Sequence, residues 1–378
     1  MSSEQPKILA NDFRRQWQEI GGAVAAAVER TGASGWYILG PEVREFERAL
    51  AAAWPVPFVV GTGNGLDALE IALRVLGCRR GDKVLTTPLS AFATTLAIVR
   101  AGGIPVFVDC DDRGLVRLDL AERVLERDPA IRFFVPVHLY GFPLDLDHLD
   151  HLRRRFGAYV VEDCAQSVLA TWRGRATGSS GQMAATSFYP TKNLGALGDG
   201  GAVLTADPAL AAEAAALRDY GQTAKYRHTR LGMNSRLDEL HAAILREAIL
   251  PRLADWTSRR RSIGAFYDQA IQNPAIRVPA PPAGADACRH LYPVFVEPEA
   301  KPRFIEHLRA RGIAAGEHYP LCIFEQEALG EAPFEFGSPC DNALRLTRSE
   351  VSLPMHPFLT REETSAVAEA CNTWLEAR

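Results

Sequence analysis

The chain has 378 residues, 47% of them apolar and 23% charged, and a formal net charge of −4. This is the ordinary balance of a soluble globular protein of two to three domain-sized units, and the charge gives no reason to expect nucleic acid or an anionic membrane as a partner. No apolar run reaches the ~18 to 20 residues a bilayer span needs, and the polar N-terminus shows no apolar secretory leader.

In chain order, Pro41-Glu42 opens the first predicted helix, with proline and acids in the turn where the helix dipole favours them. From about residue 56 to 250, short β-rich runs alternate with helical stretches. The predicted strands are Phe58 to Val60, Lys83 to Leu85, Ile104 to Val108, Phe133 to Val137 and Tyr159 to Val161. The helices between them span Leu66 to Leu76, Thr94 to Arg100, Leu118 to Arg127 and Leu144 to Phe156. Buried strands alternating with helices indicate an α/β domain with a mainly parallel central sheet. A long helix from Leu253 to Ile271 opens a different pattern. A strand at His290 to Val296, a helix at Pro302 to Arg311 and a terminal helix from Arg361 follow it. Two domains are expected: a large α/β unit over 1–250 and a smaller α+β unit over 251–378. The arginine runs Arg153 to Arg155 and Arg259 to Arg261 read as solvated helix faces. Seven scattered cysteines without a CxxC pair argue against a zinc site or a disulfide framework and suit a reducing cytoplasm. Cys164 reads as a small buried hydrophobe.

Four features carry chemistry. Lys192 lies in Ser187-Phe188-Tyr189-Pro190-Thr191-Lys192-Asn193-Leu194-Gly195. A loop lysine is usually a surface residue. Here an apolar run delivers it, glycines permit close backbone approach, and desolvation would lower its pKa as an imine-forming amine requires. Asp163 directly follows a predicted strand, where open α/β sheets bind ligands. Its neighbour Glu162 is a rival, and strand alternation sends the two side chains to opposite faces. Gln166 follows closely enough to reach the same ligand. The turn from Gly61 to Leu69 contains Gly63-Asn64-Gly65 and lacks both the dinucleotide spacing and the P-loop lysine. The backbone amides of Gly65 and Leu66 at a helix start could hold a phosphate without a charged side chain. Phe92, a core residue by default, is the candidate to stack on a ring. An amine, a carboxylate for a pyridine nitrogen, a phosphate cradle and a stacking ring are what pyridoxal 5′-phosphate (PLP) asks of a protein.

Taken together, these blocks resemble the DegT/DnrJ/EryC1/StrS family of PLP-dependent sugar aminotransferases. The resemblance runs from Tyr37-Ile38-Leu39-Gly40-Pro41 through Glu162-Asp163-Cys164-Ala165-Gln166 and Asn234-Ser235-Arg236-Leu237-Asp238 to His318-Tyr319-Pro320 and Ser352-Leu353-Pro354. It implies a fold-type I homodimer with active sites shared between subunits. It makes Lys192 the Schiff-base lysine, Asp163 the partner of the pyridine nitrogen, Gln166 a partner of the ring oxygen and Phe92 the stacking residue. Ser187 and the amides of Gly65 and Leu66 would hold the phosphate, with Asn234 reaching in from the other subunit. Many members have threonine at Leu66 and Asn-Thr at Ser90-Ala91, so phosphate and ring contacts depart from the usual set.

Some relatives replace the lysine by histidine and dehydrate sugars; Lys192 points instead to transamination through pyridoxamine phosphate, with L-glutamate as donor. The block around Lys192 is similar to the branch that aminates C3 of dTDP-linked 3-keto-6-deoxyhexoses. A C4 keto-sugar, a keto-inositol, a dehydratase and a silent PLP-binding regulator are the alternatives. Tyr37, Tyr189, Lys225, Tyr226, His318 and Tyr319 are candidate sugar-nucleotide contacts, and no metal is expected.

Overall fold

The computed structural model describes residues 7–375. Its centre is an eight-stranded sheet. The order is Phe58–Thr62, Gly201–Thr205, Met183–Ser187, Tyr159–Asp163, Phe133–Phe134, Lys83–Thr86, Ile104–Phe107 and Glu335–Phe336. Only Gly201–Thr205 runs against its two neighbours. The other pairings are parallel. Strands buried on both faces need crossover helices, and these supply them: Gly65–Val75, Phe92–Arg100, Leu118–Arg127 and Leu146–Phe156. The mainly parallel α/β sheet expected from the alternation is present, and the predicted helices and strands lie within a few residues of the observed ones.

Several elements were not expected from the sequence, among them the strands Gly201–Thr205 and Glu350–Leu353 and the helices Pro208–Leu217 and Asp341–Ser349; two others and one side chain have a plain physical reason. The longest helix, Phe13–Ser34, was not among the predicted ones: it buries only Ile20, Val24, Ala27 and Thr31, a stripe too sparse and small to stand out. The Met183–Ser187 strand is short, and its Met-Ala-Ala-Thr-Ser sequence has little β-branched character. Arg260 is buried, in contrast to the solvated face expected of its run. Its guanidinium donates to the carbonyls of Met355 and His290 at 2.7 and 3.2 Å, and burial pushes its pKa down to about 10.

After residue 250, the helices Leu253–Ala270, Lys301–Ala310 and Arg361–Thr373 and the strand pair Tyr292–Phe295 and Glu350–Leu353 build a second core. It holds Tyr267, Tyr292, Phe304 and Trp374. The chain from Cys322 to Leu346 returns to the large unit, where Ile323, Leu329 and Ala343 join its core and Glu335–Phe336 extends its sheet. We therefore propose the division near residue 250 for the second core alone, with this returning segment assigned to the large unit. Among the described residues no helix is long and apolar enough to cross a membrane.

Candidate active site

A cavity of about 570 Å³ opens beyond the carboxyl ends of the parallel strands, a size typical of small-molecule sites. Asp163 ends one of those strands, and alternation divides the labour there. Glu162 points away into the interior. It accepts hydrogen bonds from the amides of Gly178, Ser180 and Gly181 at 2.7 to 2.9 Å and from His138 Nε2 at 2.9 Å. His138 Nδ1 accepts the Leu144 amide, so the imidazole is a neutral donor and Glu162 carries the charge. Burial pushes the Glu162 pKa up, but His138 and the amides outweigh it and hold the carboxyl below its usual value. Cys164, beside this pair, is fully buried, and burial raises its pKa well above the usual thiol range.

Asp163 lines the cavity. Its Oδ2 accepts the Thr94 hydroxyl at 2.8 Å and its Oδ1 the Ala165 amide at 3.1 Å. Ser90 Oγ lies 2.8 Å from the same Thr94 hydroxyl. Thr94 was passed over in the sequence, where only Phe92 of that block was singled out. The signal available was a hydroxyl two residues into a helix that starts at the mouth of the sheet.

Lys192 lines the same cavity. Its loop is anchored by Phe188, which is buried edge-on against Phe46 at 5.4 Å, and closes on itself through the Ala196 amide and the Phe188 carbonyl at 2.7 Å. Gly195 is required in this loop, since a Cβ there would lie 2.3 Å from the Pro190 carbonyl oxygen. Burial lowers the Lys192 pKa to about 8, and the charge of Asp163 limits the fall.

The helix Gly65–Val75 starts at the cavity. Asn64 caps it, accepting the Asp67 amide on its side chain and the Ala68 amide on its carbonyl. The amides of Gly65 and Leu66 have no partner among the described residues, which leaves two donors at the positive end of a helix dipole. Ser187, which also lines the cavity, packs against this helix start: a Cβ on Gly65 would come within 2.7 Å of the Ser187 Cβ. Gln166, which also lines the cavity, accepts the Tyr140 amide at 2.6 Å and donates to the Tyr319 hydroxyl at 3.2 Å. Both ends of that amide are thus fixed.

Tyr189, His318 and Tyr319 line the cavity, as does His290, which the sequence did not single out. His290 is held by Asn193 at 3.2 Å, and burial lowers its pKa well below the usual value. Tyr37, Lys225, Tyr226 and Asn234 lie outside the cavity of this chain and are exposed, Tyr226 at 83%. Lys225 sits over the Tyr226 ring at 5.4 Å on an exposed two-stranded turn. Phe92 is half-buried against the core, between the cavity-lining Ala91 and Ala93, and is not itself among the lining residues.

Residues 18–372 match the model of the DegT/DnrJ/EryC1/StrS aminotransferase family. The chain belongs to that family. A dTDP-3-amino-3,4,6-trideoxy-α-D-glucose transaminase of Streptomyces venezuelae is 40% identical over 99% of this chain and 98% of its own length. A dTDP-3-amino-3,6-dideoxy-α-D-galactopyranose transaminase of Aneurinibacillus thermoaerophilus is 38% identical over 93% and 95%. Among solved structures, S. venezuelae DesV in complex with a ketimine intermediate superposes with a TM-score of 0.92 at 39% identity, covering 98% of both chains. The family resemblance and the fold-type I architecture expected from the motifs therefore hold, and the chain is an aminotransferase.

Proposed function

We propose that this aminotransferase uses PLP to move an amino group from L-glutamate to the C3 ketone of a nucleotide-linked sugar, a dTDP-3-keto-6-deoxyhexose. One observation carries the reading: Lys192, with its lowered pKa, shares a cavity with Asp163 and with two open amides at a helix start. The two relatives named for dTDP-3-amino-sugar products support the choice of sugar and position.

The residues present fit the cofactor. Lys192 would hold it covalently, Asp163 would bond its ring nitrogen, and Gln166 would serve its ring oxygen. Ser187 and the amides of Gly65 and Leu66 would take its phosphate, and Asn234 of the partner subunit would complete that site in a homodimer. Phe92, bracketed by cavity-lining neighbours, would stack on the ring. When bound, PLP supplies an electron sink for charge that develops at the carbon bearing the amine. Asp163 would keep the ring nitrogen protonated, and its own charge is oriented by Thr94 and the Ala165 amide. Lys192 Nζ would take the proton from the amine-bearing carbon, then return it as acid. A pKa of about 8 leaves a usable share of free amine near neutral pH. Tyr189, His318 and Tyr319 would line the sugar side. The exposed Tyr37, Lys225 and Tyr226 would reach nucleotide only across a subunit boundary.

The test is the visible spectrum of the purified protein with PLP, before and after L-glutamate. A visible band that glutamate removes, absent in Lys192→Ala, supports the first half-reaction, and an amine at C3 of the product supports the second. A band indifferent to every amino donor would favour the dehydratase or the silent binder. No band at all would end the assignment of Lys192.

A further inference from the structure

We propose that Glu350, Ser352 and His318 form a proton relay that sets whether His318 Nε2 accepts or donates a hydrogen bond toward the cavity, making Glu350 and Ser352 positioning residues. Its meaning for substrate rests on the reading of this cavity given above. Glu350 and Ser352 project from the strand Glu350–Leu353 and are 1% and 3% exposed. Ser352 Oγ donates to Glu350 Oε1 at 2.5 Å, and the His318 amide donates to Glu350 Oε2 at 2.7 Å. His318 Nδ1 lies 2.9 Å from the same Ser352 oxygen. A serine hydroxyl has one hydrogen. While Glu350 is ionised that hydrogen belongs to it, so Ser352 accepts from an Nδ1–H and His318 Nε2 is left as an acceptor.

Adding one proton reverses every bond in the row. Nε2 takes the proton from the cavity, Nδ1 gives its hydrogen to Ser352, and Ser352 gives its own to Glu350. Glu350 becomes neutral and His318 becomes an Nε2–H donor without ever being charged. The ring stays neutral because burial, and secondarily the charge of Lys192, lowers its pKa to about 4. Glu350 is poised for the exchange. Burial raises its pKa to about 7, while the Ser352 hydroxyl, the His318 amide and Lys301 restrain the rise and Glu317 adds to it. Lys301 is itself held by Glu317 at 2.6 Å and by the Thr347 carbonyl. The other titratable groups facing Glu350 are the Tyr140 and Tyr319 hydroxyls, both driven upward by burial and so neutral here. The Nε2 acceptor form suits a hydroxyl donor on the sugar, and the donor form suits a carbonyl or phosphate oxygen.

The relay can be read without turnover. Nitrogen-15 histidine spectra of the PLP-loaded protein, with His318 assigned by His318→Gln, report the tautomer directly. The expected result is Nδ1–H above about pH 8 and Nε2–H below about pH 6, with the midpoint near Glu350's value of about 7. Glu350→Gln and Ser352→Ala should each abolish this pH dependence while the remaining histidine signals stay in place. If Glu350→Gln does not fold, Ser352→Ala makes the same comparison. One tautomer throughout in the wild type, or an unchanged transition in the variants, overturns the relay. Neither result depends on whether glutamate is a donor.

Discussion

Ser187 stands where a side chain on Gly65 would have to go, with a Cβ at 65 only 2.7 Å from the Ser187 Cβ. Under the reading proposed above, the glycine would belong to the phosphate site and not merely to a turn. Gly65→Ala should push Ser187 aside and cost about 1–3 kcal/mol of cofactor binding, a roughly 5- to 150-fold rise in PLP Kd. Fluorescence titration with PLP measures it, and an unchanged Kd would move the phosphate elsewhere.

Lys192 is desolvated even without cofactor, and that has a sign. Its folded pKa of about 8 lies below the usual 10.5, so the unfolded chain binds the extra proton more readily. The penalty is full below pH 8 and fades as pH rises toward 10.5. Lys192→Met should therefore stabilise the cofactor-free protein by about 1–3 kcal/mol at neutral pH, and the gain should vanish by about pH 10.5. Urea unfolding at several pH values tests this; a gain that grows with pH would contradict it.

Glu162 should behave as a structural charge. Glu162→Gln leaves one of the bonded amides or His138 facing a donor, and should cost about 3–5 kcal/mol of stability. Because the native pKa is lowered, the wild-type contribution is present above the unfolded value near 4.5 and is lost as pH falls through the folded one. Thermal melts should show the difference between variant and wild type shrinking in acid. A variant as stable as the parent at pH 7 would refute the assignment.

Phe92 provides a check on the ring contact. Phe92→Ala should weaken PLP binding by roughly 3- to 10-fold, the scale of an aromatic stacking contact. Affinity unchanged alongside lost stability would leave Phe92 a core residue.

Much of this was legible in the sequence for physical reasons. Asp163 and the Gly65 turn follow predicted strands, which places them at the mouth of the sheet, and Lys192, picked out by its apolar and glycine flanks, lines the same cavity. Thr94, His290 and the Glu350 pair were not legible. Their roles depend on which faces meet across the sheet mouth, and no periodicity reports that. Arg260 misled because a run of three arginines looks solvated, whereas the helix turns its middle member inward against open carbonyls.

The strand Glu335–Phe336 comes from the far end of the chain to cover the edge of Ile104–Phe107. During synthesis, the first 250 residues can emerge with every other sheet neighbour in place and that edge still bare. A bare, apolar edge strand is a template for pairing with another nascent chain. Translation beyond residue 336 thus completes the sheet, and a polypeptide truncated near residue 330 should aggregate on the ribosome or soon after release even though the loops of Gly65, Asp163 and Lys192 are present.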